Sequence, residues 1–126
     1  MESTNQAGNT ISTDGAPDIG GQGKGLRPME LLLVSLASCS AIDIILIMKK
    51  QRQKLDNIKI DVEAERIIVD HHSEFSNIHM SFHFFGEVKE EKAKRAIDLS
   101  LDEYCSVAQI LNKTAKISYD FDINVG

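Results

Sequence analysis

The longest apolar segment of the chain runs from Leu31 to Met48 and predicts one long helix. Pro28 fits the first position of that helix, because its missing N–H costs nothing there and its fixed φ is already helical. Glu30 in the first turn and Lys49 and Lys50 in the last turn carry the charges that suit each end of a helix dipole. A helix that is apolar on every side is either buried in a core or crosses a membrane.

A membrane span is the less favoured alternative for this segment. Its length is close to the lower limit for a spanning helix, roughly 17 residues. Asp43 would cost about 2.5–3.5 kcal/mol near the centre of a bilayer, and Ser35, Ser38 and Ser40 lower the hydropathy further. We therefore expect no membrane span but a central helix wrapped by the rest of the fold, with Cys39 in a stretch of small residues.

Alternation of apolar and polar residues predicts strands in the remaining chain. Leu55–Ile67 and Asn77–Val88 both alternate and are separated by the polar, turn-like segment Val69–Ser76, which predicts an antiparallel pair. Ala115–Ile123 alternates most regularly and predicts a closing strand. Asn9–Thr13 could form one short strand near the N-terminus.

Helical spacing returns between Lys89 and Leu99. Ser100 and Glu103 then match a capping box, which predicts a second short helix over about Leu101–Asn112. Cys105 would lie in or near the first turns of that helix, where the helix dipole lowers the pKa of a thiol.

Length and composition limit the class of protein. The chain has 126 residues, which suits one domain, and its 42% apolar and 26% charged residues permit an ordinary globular core. The formal net charge of -5 argues against a nucleic-acid surface. Because no basic leader precedes an apolar segment, we expect a cytoplasmic protein in which Cys39 and Cys105 are reduced.

The two cysteines are the first candidates for chemistry, although a buried cysteine is by default an inert small hydrophobe. Asp43 lies one helical turn after Cys39 and on the same face. Its charge would disfavour a Cys39 thiolate unless the carboxylate is paired elsewhere.

The histidines are a rival candidate site. His79 and His83 share the polar face of a predicted strand, and His71 and His72 lie in the predicted turn. A metal site would need a third ligand and a recognisable spacing, and neither cysteine has the spacing of a zinc motif. We therefore expect solvated histidines and no metal site.

Two segments resemble motifs of the OsmC/Ohr family. Gly25–Leu33 followed by Ser38 and Cys39 resembles the signature P-x-E-L-L-x-x-x-x-x-x-C, and Ser100–Val107 resembles the second cysteine motif of that family. The spacing between the motifs and the closing strand are similar as well. The resemblance covers the chain from about Asn9 to Ile123.

This resemblance implies an α+β, OsmC-like fold in which a long central helix packs against antiparallel sheets within an intertwined homodimer. Residues 1–126 would form one domain whose N-terminal strand is shortened or absent. The implied activity is thiol-dependent reduction of organic hydroperoxides in oxidative-stress defence. Cys39 would attack the peroxide, its sulfenic acid would condense with Cys105 to a disulfide, and a dithiol or lipoyl reductant would restore both thiols without a metal or bound cofactor.

The sequence departs from the family pattern at two implied catalytic positions, Glu30 and Arg27. The peroxidases place a glutamate directly after the proline, where this chain has Met29. Glu30 and Cys39 are nine residues apart, about 180° around an ideal helix. The peroxidases also use an arginine from an N-terminal strand, but no arginine precedes Arg27. The alternative is therefore a non-catalytic dimeric domain that binds a small apolar ligand, and thiol reactivity separates the two readings.

Overall fold

The computed structural model describes residues 1–126, which divide into two compact units, Met1–Ser35 and Leu36–Gly126. The boundary between the units falls inside the long helix α1, Pro28–Lys50. The bounds of α1 confirm the helix predicted around Leu31–Met48. The assignment of residues 1–126 to one domain stays a prediction.

The first unit contains a short β-hairpin and a stabilised loop. β1 (Glu2–Thr4) pairs antiparallel with β2 (Thr10–Ser12), so the expected strand near the N-terminus has a partner that the sequence did not predict. A single 3₁₀ turn follows at Pro17–Ile19. The Asp14 carboxylate accepts hydrogen bonds from backbone N–H groups, of which that of Gln22 contributes most to the lowered pKa of Asp14.

The second unit contains a three-stranded sheet in the order β3-β4-β5. β3 (Lys54–Val69) and β4 (His72–Glu87) form the expected antiparallel pair. β5 (Lys116–Ile123) runs parallel to β4. A parallel neighbour needs a long crossover connection, and α2 (Glu90–Leu99) and α3 (Ser106–Leu111) lie within it.

Two predicted boundaries are wrong. The segment Val69–Ser76 is mostly strand, because β3 and β4 remain paired up to Val69 and His72 and turn only through Asp70 and His71. Asp70 has a φ of 55°, a left-handed conformation that aspartate tolerates in tight turns. The second helix does not begin at Leu101 either, since α2 continues into one π-helical turn, Ser100–Tyr104.

The core of the second unit is built from one face of each element. The buried side chains of β4 alternate along the strand as predicted, and α2 buries the expected stripe of small and apolar residues. Along α1 a single row at four-residue spacing is fully buried. The fully buried residues are Ile78, Met80, Phe82 and Phe84 of β4, Ala93, Ala96 and Ile97 of α2, and Leu36, Ser40, Ile44 and Met48 of α1.

The opposite side of α1 is not covered within one chain. Ile42, Ile45 and Leu46 are 61%, 49% and 55% exposed. A single chain therefore covers only one stripe of this helix, and the expected wrapping of the rest within an intertwined homodimer stays a prediction. By length and composition alone α1 is also long and apolar enough to cross a membrane, a test that the core helix of a soluble protein passes equally.

Candidate functional site

Cys39 and Cys105 approach each other in the second unit. The two Sγ atoms and a carboxylate oxygen of Asp43 all lie within 4.8 Å of one another. Both cysteines are free thiols. We refer to Cys39, Asp43 and Cys105 as the thiol site.

The helix α1 supplies two members of the thiol site. Cys39 and Asp43 are four residues apart, so they lie on one face, one turn from each other. The fully buried Ser40 lies between them in sequence and donates its hydroxyl hydrogen to the carbonyl of Ala37 at 3.1 Å. This internal hydrogen bond satisfies the hydroxyl without a partner from another element, so a small residue can occupy a tightly packed position.

The π-helical turn positions Cys105. The Cys105 N–H donates to the carbonyl of Ser100 at 2.7 Å, and the backbone then leaves the helical conformation at Cys105, with φ −78° and ψ 104°. Cys105 is therefore the N-cap of α3, and its Sγ accepts a hydrogen bond from the N–H of Ala108 at 3.4 Å. Single π turns within helices are frequent at functional sites.

Ser100 connects this turn to α1. Its backbone is helical and its N–H bonds to the carbonyls of Ala96 and Ile97, so it does not cap a new helix as the capping-box pattern predicted. Its fully buried hydroxyl donates instead to Oδ2 of Asp43 at 3.1 Å. Asp43 takes part in none of the five ion pairs of the structure. The carboxylate is thus oriented by a neutral partner and lies beside the two sulfurs.

Burial determines the protonation of Cys105. Its side chain is fully buried, and this burial raises the pKa of the thiol to about 11, although the hydrogen bond from the Ala108 N–H acts in the opposite direction. The expectation that a helix start lowers the pKa of Cys105 is therefore wrong. α3 has only six residues, and the backbone N–H groups at its start do not replace the solvation that the thiolate would lose. Cys105 is a neutral thiol at neutral pH.

A cavity of about 490 Å³ lies beside the thiol site, with Asp43 in its wall. Its walls combine apolar side chains with two basic residues and a tyrosine. An organic molecule with a polar or anionic end matches this lining. The lining residues are Asp43, Leu46, Ile47, Lys50, Gln51, Arg95, Leu99 and Tyr104.

The other two predicted site residues, Arg27 and Glu30, lie in the first unit. Oε1 of Glu30 accepts a hydrogen bond from the backbone N–H of Arg27 at 2.8 Å. The carbonyl of Arg27 accepts the first bond of α1 from Leu31, so Glu30 reaches back to the helix start as the glutamate of a capping box does. This gives the Pro-x-Glu pattern a local structural role, and catalytic roles for Arg27 and Glu30 stay predictions.

The solvent-facing histidines of β4 form a second polar cluster, which we call the histidine face: Asp61, His79, His83, Asp120 and Asp122. The ring nitrogens of His83 lie 2.9 Å from Asp61 and 3.0 Å from Asp122. Hydrogen bonding to Asp122, and then to Asp61, raises the pKa of His83. Nε2 of His79 lies 3.2 Å from Asp120. These two histidines are therefore paired rather than only solvated. The register that pairs β4 with β5 brings Asp120 and Asp122 beside them.

Sequence reasoning missed Ser100 as the partner of Asp43 and the residues of the cavity wall. The only signal for Ser100 was its four-residue pattern with Glu103, which indicated a different role. Of the wall residues, Arg95 and Leu99 precede the second cysteine motif in sequence and Tyr104 lies within it. Their position near Cys105 could have marked them as candidates, but nothing in the sequence places them next to α1.

Comparison with known proteins gives concordant matches. The model of the family described as OsmC-like protein matches residues 21–120. Protein YhfA of Escherichia coli (strain K12) is 34% identical over 101 residues, which cover 79% of this chain and 75% of that protein.

Solved structures extend these matches to the fold. A hypothetical protein from Aquifex aeolicus VF5 is 34% identical with a TM-score of 0.75, over 95% of this chain and 85% of that one. An organic hydroperoxide resistance protein OsmC from Legionella pneumophila is 13% identical with a TM-score of 0.76, over 96% of this chain and 88% of that one. The Legionella match shows the fold alone.

Proposed function

The chain belongs to the OsmC-like protein family, and from this membership and the thiol site we propose that it reduces organic hydroperoxides through Cys39 and Cys105. The family supports a redox or stress-related role in general. The observation that carries the specific proposal is the approach of the two sulfurs to within 4.8 Å from positions 66 residues apart in the chain. From that separation the two sulfurs would have to close by at most about 2.8 Å to form an S–S bond of about 2.03–2.05 Å.

The two cysteines differ in solvent exposure, and this difference assigns their roles. Cys39 is partly exposed, whereas Cys105 is fully buried and holds its proton at neutral pH. The attacking sulfur must be a thiolate that a peroxide can reach, and this favours Cys39. A buried neutral thiol that waits beside it suits the resolving role of Cys105.

The proposed reaction has three balanced steps. The Cys39 sulfur attacks the terminal oxygen of the hydroperoxide, the O–O bond breaks, and the thiol proton leaves with the alkoxide as an alcohol. The resulting sulfenic acid is attacked by the Cys105 sulfur, which forms the disulfide and releases water. A dithiol or lipoyl reductant then takes up the oxidation by thiol–disulfide exchange and regenerates both thiols.

The cavity supports an organic substrate. Leu46, Ile47 and Leu99 offer apolar contact to the organic group of a hydroperoxide. The cavity borders the thiol site, because Asp43 belongs to both. Hydrogen peroxide has no group that would use these apolar walls. The first catalytic test should therefore compare organic hydroperoxides with hydrogen peroxide.

We also propose that the protein acts as a homodimer in the cytoplasm. Ile42, Ile45 and Leu46 are exposed at helical spacing and so share one apolar face of α1, which a second copy would cover. In such a dimer, Arg27 and Glu30 of one copy would contribute to catalysis at the thiol site of the other. The reduced thiols fit a compartment in which disulfides are transient.

A non-catalytic ligand-binding domain is the second candidate function. The Asp43 carboxylate, which has no cationic partner, favours it, because a like charge within 4.8 Å of the sulfurs disfavours the thiolate that peroxide chemistry needs. The cavity would then hold a small, mainly apolar ligand. Slow reaction of Cys39 with peroxide and with alkylating reagents would support this function.

Addition of one equivalent of cumene hydroperoxide, followed by thiol counting and intact mass analysis, tests the proposal. We expect loss of both thiols and a mass decrease that corresponds to one intramolecular disulfide. Cys105→Ser should instead trap an oxidised Cys39, which gains one or more oxygen atoms, and Cys39→Ser should leave Cys105 unreacted. If both thiols survive while a control thiol peroxidase reacts, the ligand-binding function replaces this one.

A further inference from the structure

We propose that the thiol site, in its reduced form, binds a thiophilic divalent cation, with Zn²⁺ as the reference ion. Two thiolates and one carboxylate are ligand types that zinc uses in proteins. The donors come from one helix face and from the residue before α3, and they already lie within 4.8 Å of one another. The proposal does not depend on peroxidase activity, since it requires only that Cys39 and Cys105 are reduced.

The separations suit a small cation. Zinc–sulfur bonds of about 2.3 Å and zinc–oxygen bonds of about 2.0–2.2 Å place tetrahedral ligand atoms roughly 3.6–3.8 Å apart. The observed limit of 4.8 Å therefore requires each pair to close by no more than about an ångström. Rotation of the Cys39 and Asp43 side chains on α1 can supply this movement without a change in the backbone.

The residues around the donors fulfil the supporting roles that metal sites need. Ser100 fixes Asp43 by donating to Oδ2, which leaves Oδ1 available to a cation. The N–H of Ala108 donates to Sγ of Cys105 and would stabilise a metal-bound thiolate. Outer hydrogen bonds of this kind orient ligands, and their loss typically lowers metal affinity about 10–100-fold.

Charge balance also favours a cation at this position. Three groups that can be negative meet in a partly buried site, and Asp43 has no ion-pair partner. A divalent cation bound by two thiolates and one carboxylate leaves a net charge of −1 and offsets their mutual repulsion. Formation of the two metal–sulfur bonds replaces the two S–H bonds, and the protons leave to the solvent.

The fourth position of the cation would remain open to the cavity. Asp43 belongs both to the thiol site and to the cavity wall, so the cavity is also the entry path for the ion. Three protein ligands with an open fourth position are typical of reactive rather than purely structural zinc sites. Water or a donor atom of a bound organic molecule would complete the coordination.

Cation binding and peroxide reduction would compete for the same sulfurs. A cation-bound Cys39 thiolate has its lone pair committed to the metal and reacts slowly with peroxide, whereas a disulfide offers no thiolate to the ion. Zinc would therefore protect the reduced thiols, and oxidation would release zinc.

Titration of the reduced protein with Co²⁺ without oxygen tests the proposal by spectroscopy. We expect one equivalent to produce sulfur-to-cobalt charge-transfer bands and the intense visible bands of a tetrahedral ion, and Zn²⁺ should abolish both. Competition with a chromophoric chelator then measures zinc affinity. Cys39→Ser and Cys105→Ser should remove the charge-transfer bands, and Ser100→Ala should weaken zinc binding about 10–100-fold.

Matched variants keep the test decisive. Asp43→Asn retains shape but loses the anionic donor, and we expect weaker binding at an unchanged stoichiometry. His83→Gln on the histidine face should leave the cobalt spectrum and the affinity unchanged, and thermal melting confirms that each variant is folded.

Two outcomes overturn the proposal: no charge-transfer band in the unmodified reduced protein, or binding that survives both cysteine substitutions and disappears with His83→Gln. Neither outcome depends on whether the protein reduces peroxides. A metal-free sample that reduces cumene hydroperoxide but gives no cobalt bands would retain the proposed function and reject the metal site. The reverse result would retain the metal site alone.

Discussion

The thiol site and the histidine face both place an aspartate beside a titratable side chain, but the two regions differ in burial and in the charge of the partner. On the histidine face Asp122 and Asp61 hydrogen-bond His83 in contact with solvent, and this pairing raises the pKa of His83. In the thiol site the raised pKa of Cys105 arises mainly from burial. An upward pKa shift therefore follows from a satisfied charge on the histidine face and from an avoided charge in the thiol site.

The reactivity of Cys105 is expected to show the largest effect. A pKa of about 11, compared with 9.0 for an ordinary thiol, leaves about 100-fold less thiolate at neutral pH. We therefore expect iodoacetamide to modify Cys105 at least about 100-fold more slowly in the folded protein than in urea. Mass spectrometry of the Cys39→Ser variant measures this rate without interference from the other thiol. Equal rates in the two states would contradict the buried, neutral thiol.

Ser100→Ala is expected to cost about 1–3 kcal/mol of the free energy of unfolding, because it removes the donor to a part-buried carboxylate. Ser118→Ala on the histidine face is the matched control. It removes a side-chain partner of His79 at 2.8 Å where water can replace it, so we expect a change within about 0.5 kcal/mol. Urea unfolding of both variants measures the difference in the free energy of unfolding. Similar costs at both positions would show that burial does not make the Ser100 hydrogen bond more stabilising than the exposed one.

Asp43→Leu is expected to change cysteine chemistry more than stability. The Asp43 carboxylate lies within 4.8 Å of the Cys39 sulfur. A like charge at that distance costs a thiolate about 0.9 kcal/mol even in water, so its removal should speed alkylation of Cys39 roughly fourfold or more. The rate is measured in a Cys105→Ser background, with Asp61→Leu on the histidine face as the control. An unchanged rate would mean that the Asp43 charge does not act on Cys39.

The smallest expected effect concerns His83. Because its pKa in the folded protein lies above the ordinary 6.5, its stabilisation is fully present below pH 6.5 and is lost as the pH rises through the raised value. His83→Gln should therefore cost more at pH 6 than at pH 8, by less than about 1 kcal/mol because solvent screens the pair.

His71→Gln in the turn is the control for this pH dependence. Added salt should reduce the His83 effect and leave the thiol site unaffected, because screening acts mainly on exposed charges. A His83→Gln cost that is the same at pH 6 and pH 8 would show that the aspartate pairing adds nothing to stability.

The sequence by itself determined the main elements and the family. The apolar run with Pro28 at its start predicted α1, and period-two alternation predicted the paired strands and β5. These signals are local, because each side chain chooses a face relative to its immediate neighbours along a helix or strand. The two cysteine motifs identified the family for the same reason, as short patterns that the sequence carries directly.

Only the tertiary structure decided the chemistry of the site. Ser100 matched a capping box, but its hydroxyl is committed to Asp43, 57 positions away, and the helix continues through a π turn. Cys105 lies at the start of a helix as predicted, yet its complete burial, and not the helix dipole, sets the direction of its pKa shift. The approach of Cys39, Asp43 and Cys105 depends on the packing of α1 beside a distant turn, and no local pattern records distances between segments so far apart in the chain.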